Sequence, residues 1–219
     1  LLALSAIEEY IKIYEKNDIA RVNAEKGIMR KLAAIRSIYN YFYKKMIIKN
    51  NPANLVDTPK SHEKAIIRLD VDEVARLLDE VESGNSLTKT QKTYHNKTKT
   101  RDLAMITLLL GTGIRVSECV GLDITDIDFN NNGIKIRRKG GNEAIIYFGD
   151  EVADVLEKYL IEREHTETVE GHENALFLSM QRKRMSVRAV ENLVKKYATL
   201  ITTMKKITPH KLRSTYGTA

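Results

Sequence analysis

Thr107-Leu-Leu-Leu-Gly-Thr-Gly-Ile-Arg115-Val-Ser-Glu118 is the stretch around which the rest of the sequence is arranged. An apolar helix enters a Gly-Thr-Gly break, whose glycines allow a sharp turn and a close approach of the backbone to a ligand. The chain then restarts with Arg115, and Glu118 follows on the same face of a short helix. We therefore expect Glu118 to hold Arg115, although a simple turn followed by a surface ion pair would give the same pattern.

The composition indicates a folded protein, because 42% hydrophobic residues in 219 can fill the core of one large or two modest domains. No apolar run reaches the roughly 18 residues that span a bilayer, and the first residues lack a signal-peptide pattern. We expect a soluble, cytoplasmic protein with an upstream segment missing. Cys119 is the only cysteine, which excludes an internal disulfide and a cysteine-built zinc site.

The net charge of +7 is unevenly distributed along the chain. Residues 1–60 carry eleven Lys or Arg against six Asp or Glu, residues 61–180 carry fifteen against twenty-two, and residues 181–219 carry ten against one. Two basic ends around an acidic middle fit two surfaces that grip one polyanion. Lysine-rich helices that are merely solvated would give the same charges.

The first part of the chain predicts a small helical bundle. Apolar spacing indicates one helix from Ala3 to about Asn17 and a longer one from about Val22 to Met46. The aromatic cluster at residues 39–43 could stack on bases, but helical spacing favours a place in the core. The basic residues of the second helix are Arg30, Lys31, Arg36, Lys44 and Lys45.

Pro52 and Pro59 mark an extended connection, so we predict one domain over residues 1–58 and a second over residues 59–219. In the second domain, Asp70 or Asp72 can cap a helix. The polar stretch from Ser83 to Thr100, which contains His95, predicts a loop.

The strongest strand signal predicts a hairpin from Ile134 to Phe148, with Lys139 at or beside its tip. Asp123, Asp126 and Asp128 lack the spacing of a calcium loop, and Asp123 or Thr125 more simply caps a helical turn. No metal site is expected.

The end of the sequence predicts an anion-binding helix N-terminus. Thr208 fits the N-cap and Pro209 the first helical position, so His210 lies in the first turn and Arg213 shares its face. A helix N-terminus with a histidine and an arginine suits a phosphate.

Four stretches, in this order, resemble the tyrosine recombinase (phage-type integrase) family, with Xer-type and conjugative-transposon integrases closest in style. Asn51-Pro-Ala-Asn54 is also similar to the end of that family's core-binding domain. The four stretches are Gly111–Glu118, Lys139–Asn142, Leu176–Ser179 with Met185-Ser186, and Thr208–Arg213.

The resemblance implies a mainly α fold with a small antiparallel β-sheet, formed by a helical core-binding domain and a mixed α/β catalytic domain. It implies a C-shaped clamp on double-stranded DNA, a dimer on DNA and a tetramer in the synapse. Strand exchange would proceed through a 3′-phosphotyrosyl link without cofactor, metal or ATP, in a bacterial, nucleoid-associated protein of recombination or transposition.

Residue by residue, the resemblance implies that Arg115 and Arg213 hold the phosphate, His210 donates or moves a proton, and Lys139 protonates the leaving oxygen. Glu118 would orient its neighbours. The predicted DNA-binding residues are Arg30, Lys31, Arg36, Lys44, Lys45, Arg138, Arg182, Lys183, Arg184 and Lys211.

In the family, the nucleophilic tyrosine lies downstream of the position at which this sequence ends. We therefore expect the nucleophile to be absent from these 219 residues, and an inactive DNA-binding fragment or regulator of the same fold is the alternative. A type IB topoisomerase shares the chemistry, but the small helical domain fits an integrase better.

Overall fold

A computed structural model describes residues 2–16, 18–60, 67–138 and 140–216. The chain divides into two compact units, Leu1–Ala65 and Ile66–Ala219. The predicted fold class is confirmed, since helices dominate both units and the strands form two small antiparallel sheets. The domain boundary after residue 58 stays a prediction, because part of the connecting segment lies outside the described residues. Among those residues, no helix has the length and apolar character needed to cross a membrane.

The first unit is a helical hairpin with a short β-ribbon between its helices. Its core joins one face of each helix to the segment that follows them, through Ile7, Ile11, Leu32, Ala53 and Val56. The elements are α1 (Leu2–Lys12), β1 (Ile13–Lys16), β2 (Ile19–Val22), α2 (Glu25–Lys44) and a 3₁₀ turn (Pro52–Leu55).

The predicted helix from Ala3 to Asn17 is wrong beyond Lys12, where β1 begins and pairs with β2. The end of α1 is fixed by side chains from other elements. Asn23 Nδ2 donates to the Ile11 carbonyl at 2.9 Å, and Lys31 Nζ donates to the Ile13 carbonyl at 2.7 Å. Every residue of the ribbon is exposed, so no buried face distinguished it in the sequence from a continuing helix.

The core prediction for the aromatic cluster is wrong for three of its members. Tyr39 packs against the core of the first unit, whereas Tyr41, Phe42 and Tyr43 are exposed within that unit. The apolar residues of α2 that face the core recur at helical spacing, and Tyr39 is one of them. The neighbouring rings therefore lie on other faces of the helix.

The second unit is built around a central helix, α5, that packs against α3, α7 and α9. Its helices are α3 (Val71–Ser83), α4 (Lys89–His95), α5 (Lys99–Thr112), α6 (Val116–Gly121), α7 (Asp150–Glu164), α8 (Val187–Ile201) and α9 (Pro209–Tyr216). A 3₁₀ turn (Ile124–Asp126) leads into a three-stranded antiparallel sheet, ordered β3 (Ile127–Asp128), β4 (Gly133–Arg137) and β5 (Glu143–Tyr147).

The predicted loop from Ser83 to Thr100 is wrong, because this stretch contains helix α4. Thr88 caps the helix, because its hydroxyl accepts the backbone N–H of Gln91 while the Gln91 side chain accepts the N–H of Thr88. His95 is 2% exposed, and its Nε2 lies 2.8 Å from the Val81 carbonyl. The histidine therefore lies in the interior of the second unit.

Two glycine-containing turns lie next to Arg115 and Lys139 in the sequence. Gly113 ends α5 in the left-handed conformation, with φ of +58°, which releases the chain into α6. Gly140 and Gly141 also have positive φ and close the turn between β4 and β5, where the Arg138 N–H donates to the Asn142 carbonyl at 2.7 Å. The predicted hairpin is therefore present.

Candidate active site

Arg115 is fixed at the N-terminus of α6 by two hydrogen bonds to the side chain of Glu118. Its backbone N–H donates to Glu118 Oε2 at 2.7 Å, and its guanidinium Nη1 donates to Glu118 Oε1 at 2.8 Å. The Glu118 side chain is 6% exposed, whereas that of Arg115 is 58% exposed. The carboxylate is thus a buried support, while more than half of the arginine side chain stays exposed.

Helix α9 brings two further side chains to the same place. Pro209 is buried at the start of α9, His210 is exposed in the first turn, and Arg213 follows half-buried on the same face. His210 and Arg213 line one open cavity of about 350 Å³ together with Arg115 and Ser117. Arg115 therefore shares one cavity with two residues that lie about a hundred positions further along the chain.

The β4–β5 hairpin borders Arg115 from another side. Arg137, Arg138 and Asn142 line a second open cavity of about 530 Å³ with Arg115 and Ser117. Lys139, the predicted general acid, lies outside the described residues. Its neighbours at the turn place the hairpin beside Arg115.

Sequence reasoning missed Ser117 and Arg137, which both line this region. The signals were present. Ser117 lies between Arg115 and Glu118 in a turn of helix, and Arg137 follows the outward alternation of β4, whose residues 135 and 137 are exposed and 134 and 136 buried.

The thiol of Cys119 is next to this support but takes no part in it. Cys119 is fully buried, and burial raises its pKa to about 12. Since the thiolate is the nucleophilic form, this thiol is inert near neutral pH.

Three of the residues predicted to bind DNA direct their charges at backbone carbonyls of their own units. Lys31 Nζ donates to Tyr10 and Ile13, and Arg36 donates to Ala53 and Val56. Arg184 donates to the carbonyls of Val120 and Leu122 and pairs with Asp123. These contacts give the three side chains structural roles that charge alone did not indicate.

The other predicted DNA-binding residues reach the surface of their own units to different degrees. Lys211 is half-buried on α9. Arg182 is exposed but pairs with Glu167. The remaining exposed residues are Arg30, Lys44, Lys45, Arg138 and Lys183. For every residue predicted to bind DNA, that role stays a prediction.

The cavity has the chemistry of a phosphate site. Guanidinium groups bind the oxygens of a phosphate through paired hydrogen bonds, and an imidazole can donate another or transfer a proton. Because the cavity is open, the phosphate can belong to a large molecule lying on the surface. The arginine and histidine side chains around this open cavity therefore suit a phosphate group.

The family profile of "Phage integrase family" matches residues 67–219, and this chain belongs to that family. It is 33% identical over 210 residues to tyrosine recombinase XerC of Thermodesulfovibrio yellowstonii, covering 94% of this chain and 66% of that protein. It is 31% identical over 192 residues to tyrosine recombinase XerD of Oceanobacillus iheyensis, covering 87% and 61%. The chain thus spans less than two thirds of the length of these relatives.

Solved structures show the same fold. The XerA recombinase is 27% identical, with a TM-score of 0.57 over 89% of this chain and 60% of that one. The Tn1549 transposon integrase, solved in complex with circular intermediate DNA, is 24% identical, with a TM-score of 0.68 over 97% and 70%.

Proposed function

We propose that this chain forms the DNA-binding and catalytic core of a site-specific DNA recombinase. The observation that carries the proposal is one open cavity lined by Arg115, His210 and Arg213, in which buried Glu118 holds Arg115. Membership of the family and relatives that are tyrosine recombinases support it. The related integrase solved on DNA supports double-stranded DNA as the partner.

The proposed reaction is a transesterification at phosphorus. A tyrosine oxygen attacks the scissile phosphate, the bond to the 5′-oxygen breaks, and a 3′-phosphotyrosyl link and a free 5′-hydroxyl result. Rejoining is the reverse reaction with the 5′-hydroxyl of another strand, which releases the tyrosine. One phosphate ester replaces another in each step, so the exchange consumes no ATP.

The residues of the cavity act on this step through charge and proton transfer. Negative charge grows on the non-bridging oxygens in the transition state, and Arg115 and Arg213 stabilise it there with hydrogen bonds that are already oriented. His210 donates a further hydrogen bond or moves a proton. We assign protonation of the leaving 5′-oxygen to Lys139, which follows Arg138 at the hairpin.

Three tyrosines of the second unit are poor candidates for the nucleophile. The Tyr159 hydroxyl donates to the Leu176 carbonyl at 3.0 Å, that of Tyr197 lies 3.3 Å from Asp102, and burial raises the pKa of both groups. Tyr216 packs its ring against Gly113. As the family resemblance implies, we place the nucleophile on a tyrosine outside this sequence.

The assembly follows from the same proposal. As the family resemblance implies, we propose binding to duplex DNA as a C-shaped clamp, with a dimer on each recombination site and a tetramer in the synapse. The substrate would be DNA of a bacterial chromosome or a mobile element.

The test removes each arginine and separates cleavage from binding. A preferred duplex is first selected from random DNA by the protein as encoded, including any flanking residues. It is then rebuilt with a nick, so that a short leaving strand diffuses away and a covalent adduct accumulates. Arg115→Ala and Arg213→Ala should each lower adduct formation by about 10²-fold or more and leave most binding intact.

Arg188→Ala is the matched control, because Arg188 is exposed and pairs only at the surface with Glu191 among the described residues. It should cleave like the unaltered protein. Normal cleavage by either site variant would contradict the role of that arginine. Failure of the unaltered protein to form an adduct on any selected duplex would contradict the proposed function.

A further inference from the structure

A contact between Gly113 and Tyr216 joins the two elements that carry the arginines of the cavity. A Cβ atom placed on Gly113 would lie 2.5 Å from Tyr216 Cδ1 and 3.1 Å from Cγ. The ring therefore rests directly on the backbone at this position. Two features require glycine at position 113: the positive φ, and the space that the Tyr216 ring occupies.

The contact lies within one turn of each arginine. Gly113 precedes Arg115 by two residues, and Tyr216 follows Arg213 by three, on the same face of α9. A shift of the ring away from Gly113 would therefore change the separation of the two guanidiniums. Paired hydrogen bonds to one phosphate depend on that separation to within about 0.5 Å.

Other contacts also hold α9 to the core of the second unit. Leu212 is fully buried, and the Thr215 hydroxyl accepts the Leu69 N–H at 3.2 Å. Tyr216 differs from both, since 47% of it is exposed. A half-exposed ring contributes little to the stability of the core. Its contact with the Gly113 turn is therefore the feature that indicates a role for this side chain.

We propose that Tyr216 is a positioning residue that fixes α9 against the Gly113 turn and so sets Arg115 and Arg213 at the spacing that one phosphate requires. This inference rests on the proposed function. The ring carries the effect and the hydroxyl does not.

The first experiment compares Tyr216→Phe, which keeps the ring, with Tyr216→Leu, which removes it. Tyr94→Leu is the matched control, because Tyr94 is a similarly exposed ring on α4. On the nicked duplex, the rate of adduct formation should stay within about twofold for Tyr216→Phe and Tyr94→Leu. It should fall by about tenfold or more for Tyr216→Leu, while DNA affinity and melting temperature change little.

Two outcomes of this experiment would overturn the proposal. A Tyr216→Leu protein that cleaves at the normal rate would show that the ring positions nothing. A Tyr216→Phe protein as slow as Tyr216→Leu would assign the effect to the hydroxyl, and an adduct mapped to Tyr216 would make it the nucleophile.

A double substitution keeps the proposal testable if Tyr216→Leu lowers the melting temperature. Gly113→Ala should also slow cleavage, because its methyl group displaces the ring. If the contact couples the two positions, Gly113→Ala with Tyr216→Leu should lose less than the product of the two separate losses. Losses that simply multiply would contradict the contact as the cause.

A binding measurement separates this inference from the proposed function. If the unaltered protein forms no adduct, the recombinase proposal fails, and the affinity for orthovanadate, measured by calorimetry, then decides the positioning role. Tyr216→Leu should weaken that affinity by about tenfold and Tyr216→Phe should leave it unchanged. Equal affinities in all three proteins, or no binding by the unaltered protein, would overturn the inference.

Discussion

At the scale of single residues, Glu118 decides whether Arg115 is an oriented group or a mobile surface charge. A solvent-exposed ion pair contributes little to stability, because water screens it and two side chains lose freedom. Here the carboxylate is buried and accepts from both the backbone and the side chain of the same arginine. The arginine is held in place before any phosphate arrives.

Glu118→Ala should therefore affect both stability and cleavage. Removing an acceptor that caps α6 and binds a charged group should lower the free energy of unfolding by about 1–3 kcal/mol. The rate of adduct formation should fall more than DNA affinity does, because the freed guanidinium must be ordered in the transition state. Urea unfolding and the nicked duplex measure the two effects. Glu118→Gln, which keeps one carbonyl oxygen, should lie between; normal cleavage by both variants would contradict the supporting role.

Residue spacing in the sequence predicts much of the candidate site but not all of it. Arg115 with Glu118, and His210 with Arg213, follow from three-residue separations on helices, which a sequence displays directly. That α9 lies beside the start of α6 depends on how both pack around α5, and no local pattern encodes it. The contact of Tyr216 with Gly113 is of the same kind.

At the scale of elements, an arginine outside the cavity holds the end of the helix that presents Arg115. Arg184 Nη1 donates to the Leu122 carbonyl at 2.8 Å and to that of Val120 at 3.1 Å, and the guanidinium also pairs with Asp123. These carbonyls close the C-terminal end of α6, where backbone acceptors lack partners within the helix. The predicted DNA-binding triplet at residues 182–184 thus contains a structural member.

Arg184→Ala should destabilise the second unit, and Arg182→Ala should not. The first substitution removes a charged donor from the Val120 and Leu122 carbonyls and from a half-buried carboxylate, which costs about 1–3 kcal/mol. The second removes an exposed pair with Glu167, worth less than about 1 kcal/mol. Urea unfolding of both variants compares neighbouring arginines of equal charge. If Arg182→Ala loses as much stability as Arg184→Ala, the structural role of Arg184 is contradicted.

Elements with an amphipathic pattern were predictable, and elements without one were not. The hairpin of β4 and β5 alternates buried and exposed residues along β4, and its turn contains two glycines with positive φ. The ribbon of β1 and β2 has no buried residue, and α4 exposes six of its seven residues. Exposed elements lack the periodicity that burial imposes, so only caps and pairing identify them.

At the scale of the whole molecule, charge predicts how binding responds to salt. Residues 1–60 and 181–219 carry net charges of +5 and +9, and the stretch between them carries −7. Internal contacts occupy Lys31, Arg36 and Arg184, so the basic ends offer fewer free cations than the count suggests. The remaining exposed cations still exceed the acids there.

The last prediction is that DNA affinity falls by about 10³-fold or more between 50 and 200 mM salt, because neutralising six or more phosphates releases that many counterions. Lys44→Gln with Lys45→Gln removes two exposed charges at one basic end and should make the slope of log affinity against log salt shallower by up to about two. Lys89→Gln with Lys158→Gln removes equal charge from exposed positions in the acidic middle and should leave the slope unchanged. Fluorescence anisotropy with one duplex gives all three slopes. A DNA affinity that does not change with salt concentration would contradict the clamp model. Equal slopes for the two variants would show that total charge, and not its distribution along the chain, governs binding.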